Sequence, residues 1–124
     1  MVKILVVDDE EHIRLLYKQE LSEEGYEVIL AENGKECLRK LDEENPDLVI
    51  LDIRMPVMDG IETLGKIINK KKDIPVILNT AYSSYKDDFM TWAAEAYVVK
   101  SYDLAELKTK IKEIIDRKKE SSWR

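Results

Sequence analysis

Short apolar runs rich in β-branched residues recur five times along the chain, and this recurrence constrains the fold more than any other sequence feature. Two of the runs, residues 4–7 and 48–51, are apolar at every position, as expected for strands buried on both faces of a parallel sheet. Each run has a length suitable for one strand. The predicted strands are residues 3–7, 27–31, 48–51, 76–79 and 97–99.

The segments between these runs carry apolar residues at the spacing of amphipathic helices. Residues 85–94 show this pattern more weakly, through Phe89, Trp92 and Ala93. Strands that alternate with helices predict an α/β fold, in which right-handed crossovers build a parallel sheet covered by helices on both faces. The apolar positions of the four clearer helices are Ile13, Leu16, Tyr17 and Leu21; Cys37, Leu38 and Leu41; Ile61, Leu64, Ile67 and Ile68; and Leu104, Leu107, Ile111, Ile114 and Ile115.

The length of 124 residues fits one domain, which we expect over residues 1–120, followed by a tail over residues 121–124. The formal net charge of -6 disfavours direct binding to nucleic acid or an anionic membrane, because both need concentrated positive charge. A single cysteine, Cys37, excludes an internal disulfide and fits a reducing compartment. Without a membrane-length apolar run or a signal peptide, the sequence predicts a cytoplasmic protein.

Polar side chains follow four of the five predicted strands where each strand ends. Asp8 and Asp9 follow the first strand, Asp52 follows the third, Thr80 the fourth and Lys100 the fifth. In an open parallel sheet, ligands bind beyond the carboxyl ends of the strands. The sequence therefore predicts a functional site at this edge.

If the first and third strands are neighbours, three carboxylates converge on one edge and need a neutralising partner. Two like charges about 4 Å apart repel by roughly 4 kcal/mol at an effective dielectric constant of 20. One acid could remain protonated, but a hard divalent cation with oxygen ligands and a nearby lysine is the more common arrangement. Mg2+ fits best, since it prefers a few carboxylates and retains water positions that phosphate oxygens can take. A carboxylate beside such an ion can act as a nucleophile and form an aspartyl phosphate.

Each of these residues also has a structural interpretation. The Asp8 and Asp9 pair could cap a helix, Asp52 could be a turn residue, Thr80 a cap and Lys100 a solvated charge. Independent caps, however, have no reason to collect acids, a hydroxyl and a cation on one edge in this order. The joint arrangement favours a site.

Four motifs at these positions closely resemble the receiver domain of two-component response regulators, and the resemblance spans essentially the whole chain. It implies a doubly wound, flavodoxin-like (βα)5 fold with strand order 2-1-3-4-5. The segment over residues 52–60 is the most specific of the four motifs. They are Val6-Val7-Asp8-Asp9-Glu10, Asp52-Ile53-Arg54-Met55-Pro56-Val57-Met58-Asp59-Gly60, Thr80-Ala81 and Val99-Lys100.

The resemblance implies a role for each matching residue. Asp52 matches the phosphoacceptor, and Asp9 and Asp52 match the side chains that bind Mg2+ directly. Asp8 matches the acid that acts largely through metal-bound water, and the backbone carbonyl of Arg54 matches the third protein ligand.

The remaining matches concern the phosphorylated state. Thr80 matches the switch hydroxyl, Tyr97 the aromatic residue that rotates inward behind it, and Lys100 the lysine that pairs with a phosphoryl oxygen. The implied function is to accept a phosphoryl group from a histidine kinase or histidine phosphotransfer protein, and then to act on a target protein or output domain. Such a domain is not an enzyme, although it assists its own phosphorylation and dephosphorylation.

The chain departs from the family pattern at two places. The family usually has Lys-Pro with a cis bond, whereas this chain has Lys100-Ser101, which leaves the placement of Lys100 open. The family usually has a glycine where Ala93 or Ala94 stands, so we expect an altered helix end there.

Two further expectations concern partners. The face of the first helix is the usual docking site for the donor in this family, with Ile13, Arg14, Leu16, Tyr17 and Lys18 as candidates here. The combination of Asp52, Arg54, Thr80 and Tyr82 is also similar to the intermediate of the sporulation phosphorelay.

Other functions fit the sequence less well. A haloacid-dehalogenase-like phosphatase usually carries a second Asp two residues after its nucleophile, where this chain has Arg54. A flavodoxin-like flavin binder needs a Ser/Thr/Gly-rich loop, whereas the acidic run over residues 8–11 would repel a phosphate. A degenerate receiver that only binds proteins remains the alternative.

Overall fold

A computed structural model describes residues 1–53, 55, 59–81, 94–101 and 103–122. This part of the chain forms one alternating series of strands and helices. The bounds of all five predicted strands agree with the structure to within one residue. The elements are β1 (Lys3–Val7), α1 (Glu11–Glu23), β2 (Glu27–Ala31), α2 (Gly34–Glu44), β3 (Leu48–Leu51), α3 (Gly60–Lys70), β4 (Val76–Thr80), β5 (Ala96–Val99) and α4 (Ala105–Ser122).

The five strands form one parallel sheet in the order β2-β1-β3-β4-β5, as predicted. The order reverses between β1 and β3, which lie side by side in the interior of the sheet. Their register places Val7 opposite Leu51, so the next residues, Asp8 and Asp52, leave the sheet at the same level. The sheet therefore delivers two acids to its topological switch point.

Alternate residues of the central strands point to two separate hydrophobic clusters, one on each face of the sheet. On β1, Leu5 and Val7 belong to the cluster on the face of α2 and α3. Ile4 and Val6 belong to the cluster on the face of α1 and α4. All four side chains are at most 1% exposed, which explains why the strand is apolar at consecutive positions.

Side-chain caps define the starts of two helices. The Asn33 side chain accepts a hydrogen bond from the Glu36 backbone N–H at the start of α2 (2.9 Å). The Asp59 side chain does the same for Glu62 at the start of α3 (2.8 Å). These caps satisfy backbone donors that a helix cannot satisfy internally. They fix the point at which α3 begins, close behind Asp52.

Two predictions fall wholly or partly outside the described residues. Most of the weaker helix predicted over residues 85–94 lies there, since residues 82–93 are not described. The predicted tail over residues 121–124 lies partly there, because residues 123 and 124 are not described, and the division of the chain after residue 120 stays a prediction. Among the described helices, none has the length and apolar character that crossing a membrane would require.

Candidate functional site

The carboxyl edge of the sheet holds four of the predicted site residues in fixed backbone positions. Asp8, Asp52 and Thr80 are 2%, 5% and 0% exposed. The ladder continues past the strands, because the backbone N–H of Asp52 donates to the Val7 carbonyl (3.0 Å) and that of Lys100 donates to the Thr80 carbonyl (2.7 Å). The side chains after each strand are therefore held by the sheet itself.

The Lys100 ammonium lies between the two buried carboxylates. Its Nζ is 2.6 Å from Asp8 Oδ2 and 3.3 Å from Asp52 Oδ2, and only 15% of the side chain is exposed. One cation thus serves two acids. The structure brings together three residues that are far apart in the sequence, as the predicted topology requires.

The ionisation of this cluster follows from its burial and its charges. Burial raises the pKa of Asp52 to about 6, the neighbouring Asp8 charge adds to this, and Lys100 opposes it. Burial alone would lower the pKa of Lys100, but its hydrogen bond to Asp8 and the Asp52 charge raise it overall. At neutral pH the arrangement keeps Asp52 largely ionised and Lys100 positively charged.

A candidate cation site lies beside this pair. Carboxylate oxygens of Asp8, Asp9 and Glu10 lie within 4.8 Å of one another, with Asp8 buried and the other two exposed. Such oxygens are the ligands that a hard divalent cation prefers, so the residues fit Mg2+. Glu10 was not among the predicted ligands, although its place in the acidic run over residues 8–11 could have indicated it. Of the predicted ligands, Arg54 lies outside the described residues.

The helix-capping interpretation of Asp8 is wrong. Helix α1 begins after Glu10, whose side chain makes no capping hydrogen bond. Asp8 Oδ1 instead accepts from the Glu10 backbone N–H (3.0 Å), while its carbonyl accepts from Arg14 Nη1 (2.8 Å). With Oδ2 bonded to Lys100, Asp8 is held through both of its carboxylate oxygens.

Gly60 supports Asp52 from behind, a role that sequence reasoning missed. Its backbone N–H donates to the Ile53 carbonyl (2.6 Å). A Cβ atom at this position would lie 2.1 Å from the Asp52 carbonyl oxygen and 2.4 Å from Ile53 Cα. Only glycine allows the first turn of α3 to approach the acid this closely.

Thr80 and Tyr97 both belong to the face of the sheet covered by α2 and α3. Thr80 alternates with Val76 and Leu78, which lie in that cluster, and Tyr97 packs against the same cluster. Tyr97 is half-buried and pairs with Leu78 across the β4 and β5 ladder. Their placement leaves the switch role of the pair as a proposal.

The two departures from the family pattern have different outcomes. The described residues contain no cis peptide bond, so the bond between Lys100 and Ser101 is not cis, and Lys100 nevertheless reaches both acids. Ala93 lies outside the described residues, whereas Ala94 is described and does not have a positive φ.

A groove of about 520 Å³ runs from α1 to the end of β5. Leu16 lines it and is 40% exposed, whereas Leu15 is 56% exposed and does not line it. Tyr17, one of the candidate docking residues, also lines the groove, but it is only 2% exposed, so little of its surface is available to a partner. The residues around the groove are His12, Ile13, Leu16, Tyr17, Lys100 and Ser101.

Comparison with known proteins agrees with this geometry. The response regulator receiver domain family matches residues 4–112. The alkaline phosphatase synthesis transcriptional regulatory protein PhoP of Bacillus subtilis is 38% identical over 117 residues, which cover 93% of this chain and 49% of PhoP. The chain therefore spans about half the length of the curated relatives it matches.

Solved structures give a closer match. Response regulator protein TrrA from Thermotoga maritima, in complex with Mg2+-BeF, is 57% identical, with a TM-score of 0.89 over 91% of this chain and 98% of TrrA. In its complex with histidine kinase ThkA, TrrA matches with a TM-score of 0.86 at the same identity, over 91% of this chain and 97% of TrrA. The chain belongs to the response regulator receiver domain family.

Proposed function

We propose that this chain accepts a phosphoryl group on the carboxylate of Asp52 and changes conformation in response. The observation that carries the proposal is the Lys100 ammonium between two buried carboxylates, 2.6 Å from Asp8 and 3.3 Å from Asp52. This arrangement offers a buried nucleophile with a cation already beside it.

The transfer needs an ionised Asp52. With a pKa of about 6, the carboxylate is mostly ionised at neutral pH, and one of its oxygens can attack the phosphorus of a phosphohistidine. The P–N bond then breaks, the electron pair returns to the imidazole nitrogen, and an acyl phosphate forms on Asp52. Lys100, whose ammonium lies 3.3 Å from Asp52 Oδ2, would stabilise the oxygens of the transferring group.

Mg2+ is the cofactor we propose for this step. Asp8, Asp9, Asp52 and the Arg54 carbonyl would hold it, and Glu10 is a further candidate because its oxygen lies within the acidic group. When bound, the ion would offset the charge of the acids and of the incoming phosphoryl oxygens.

The response to phosphorylation would start at Thr80 and Tyr97. A phosphoryl group brings nearly two negative charges to Asp52, and the Thr80 hydroxyl and Lys100 would bind its oxygens. Thr80 is the last residue of β4 and Tyr97 lies on the adjacent strand β5. Movement of Thr80 would therefore change the space available to Tyr97.

For the donor, we propose a histidine kinase or a histidine phosphotransfer protein that docks at the groove beside α1. Exposed Leu16 and Lys100 line the same groove, and the similar protein TrrA has been solved with a histidine kinase. A target protein or output domain would receive the signal. If the chain acts as the sporulation intermediate does, it would instead pass the phosphoryl group on to the next protein of a relay. We propose a cytoplasmic location for these steps.

Intact mass after incubation with acetyl phosphate or phosphoramidate, with and without Mg2+, tests the acceptor. We expect a Mg2+-dependent gain of one phosphoryl group in the native chain and in Asp42→Asn, which changes an exposed acid on α2. Asp52→Asn should gain none. If the native chain gains no mass under any condition, the degenerate interaction module is the better interpretation.

The docking surface needs a separate measurement with ThkA as the phosphorylated donor. We expect Leu16→Ala to slow transfer from ThkA without slowing phosphorylation by acetyl phosphate. Leu15→Ala is the matched control, because it removes a neighbouring exposed leucine that does not line the groove. Equal effects of the two variants on transfer would contradict docking in the groove.

A further inference from the structure

Asn79 is a buried amide on β4, where Val76, Ile77 and Leu78 are apolar and Thr80 carries a hydroxyl. All five residues of β4 are buried, and Asn79 is 3% exposed. It alternates with Ile77, which lies in the cluster on the face of α1 and α4. A buried amide is costly without hydrogen bonds, so its partners show what it connects.

The Asn79 side chain joins three elements. Its Oδ1 accepts a hydrogen bond from the Tyr17 hydroxyl on α1, and its Nδ2 donates to the Val98 carbonyl on β5 (2.9 Å). Tyr17 and Val98 are each 2% exposed, so water does not compete for these bonds. We call this chain of contacts, Tyr17–Asn79–Val98, the buried link.

The buried link ends two residues before Lys100. The next backbone bond along the same ladder runs from the Lys100 N–H to the carbonyl of Thr80, the residue after Asn79 (2.7 Å). The end of β5 is therefore tied to β4 through a side chain and then through the backbone. The position of β5 in turn sets how far the Lys100 ammonium can reach.

The Tyr17 hydroxyl also interacts electrostatically with the charged groups of the site. Burial raises the pKa of Tyr17 to about 12, and Lys100, Asp8 and Asp52 all act on it electrostatically. The hydroxyl is therefore protonated throughout the neutral range and remains a hydrogen-bond donor. Tyr17 also lines the same groove as Lys100 and Ser101.

We propose that Tyr17 and Asn79 are positioning residues for Lys100, which hold the end of β5 so that the ammonium stays between the Asp8 and Asp52 carboxylates during phosphoryl transfer. This inference rests on the proposed phosphoryl-acceptor function and adds two residues to it. Neither residue touches the reacting atoms. Their effect passes through Lys100 alone.

The dependence on Lys100 gives a sharp test. The double variant Tyr17→Phe/Asn79→Leu replaces both side chains of the buried link by apolar groups of similar shape, a change that can be nearly neutral for stability. The Val98 carbonyl loses only its side-chain donor. We expect it to slow phosphorylation by phosphoramidate about fivefold, the factor that corresponds to one neutral hydrogen bond. In a Lys100→Ala background the same double change should have no further effect, because the group it positions is gone.

Two further variants guard against a trivial explanation. Tyr17→Phe alone removes one hydroxyl and tests the buried link if the double variant fails to fold, which urea denaturation would show. Tyr26→Phe is the matched control, since it removes a hydroxyl from a half-buried tyrosine. Tyr26 lies just before β2, the outer strand on the other side of the sheet from β5. It should leave the phosphorylation rate unchanged.

Acetic anhydride labelling of Lys100, measured on peptides without Mg2+, gives a readout that does not depend on phosphorylation. We expect several-fold faster labelling in the Tyr17 and Asn79 variants, because an ammonium released from Asp8 and Asp52 is more exposed. Unchanged labelling, or an equal loss of rate with and without Lys100, would overturn the positioning role. If the native chain is never phosphorylated, the proposed function fails and the labelling result alone decides on the buried link.

Discussion

At the carboxyl edge of the sheet, Asp8, Asp52 and Lys100 are buried together, whereas the charges at the amino edge are spread out and partly solvated. There, Lys3 Nζ lies 3.4 Å from Glu27 Oε2, with 28% and 49% of the two side chains exposed. At the carboxyl edge, two acids that are at most 6% exposed share one cation.

The comparison shows that the charges at the two edges have different consequences for stability and function. Exposed opposite charges cost little to place and contribute little to stability. Two buried like charges cost free energy that the fold must offset elsewhere, so their presence at the carboxyl edge indicates function. A receiver needs a reactive acid there, and the apolar clusters on both faces of the sheet supply the compensating stability.

The largest difference between the edges should come from their glycines. Gly60→Ala would place Cβ 2.1 Å from the Asp52 carbonyl oxygen, and the three nearest atoms all belong to the backbone of Asp52 and Ile53, which has little freedom to shift. We expect it to lower the free energy of unfolding by about 3 kcal/mol. Gly25→Ala, before β2 at the amino edge, meets no atom within 4 Å and suffers only its positive φ of 94°. Its cost should be about 1 kcal/mol in urea denaturation. Equal costs would show that Gly60 does not support Asp52 by close packing.

The lysines should differ less, but in the same direction. Lys100→Met leaves Asp8 and Asp52 buried without their shared cation, so we expect a loss of about 2 kcal/mol in the free energy of unfolding at pH 7. Lys3→Met at the amino edge breaks a partly solvated pair and should cost about 0.5 kcal/mol or less. Urea denaturation in EDTA measures both. A larger loss for Lys3 would reverse the comparison between the two edges.

The smallest effect concerns pH and should appear only at the carboxyl edge. The pKa of Asp52 is raised from 3.8 to about 6 on folding, so between these values the folded chain binds more protons than the unfolded chain. Stability from this group is therefore lost as the pH rises from about 4 to about 6. The free energy of unfolding of Asp52→Asn should equal that of the native chain near pH 4. At pH 7 without divalent ions it should be higher than that of the native chain by about 1–2 kcal/mol.

Thermal or urea unfolding across this pH range tests the effect, with Asp47→Asn as the control at the amino edge. Asp47 accepts a hydrogen bond from the Lys3 backbone N–H, so its substitution shows how the loss of an acid outside the buried cluster changes stability. An Asp52→Asn difference that is constant from pH 4 to pH 7 would contradict a raised pKa.

Much of the fold and of the candidate site could be predicted because both depend on patterns along the sequence. Strands buried on both faces are continuous apolar runs, and a parallel sheet brings their carboxyl ends to one edge. With β1 and β3 as neighbouring strands, the order that the resemblance to receiver domains implies, the approach of Asp8 to Asp52 follows from topology. The position of Lys100 directly after β5 predicts its place at the same edge. The structure confirms this place, although the proline that usually follows this lysine in the family is absent.

The features that were missed depend on distances between elements. Tyr17 sits at an apolar helical position, and its spacing cannot distinguish an exposed docking residue from a buried partner of Asn79. The need for glycine at position 60 depends on how closely α3 approaches β3, which no local pattern encodes. Glu10 was overlooked as a possible ligand because the side chain of an exposed acid can point in several directions.

The hydrogen bond from Gly60 to Ile53 closes a small ring of backbone, since it joins the two ends of the segment over residues 54–59. Gly60 begins α3 and Ile53 directly follows Asp52, so this ring couples the helix to the backbone of the acid. A shift of α3 toward the sheet would displace the Asp52 carbonyl as well, because closely packed backbone atoms leave no free space between them. A ligand or crosslink that moves this helix would therefore act on the acid without touching its side chain.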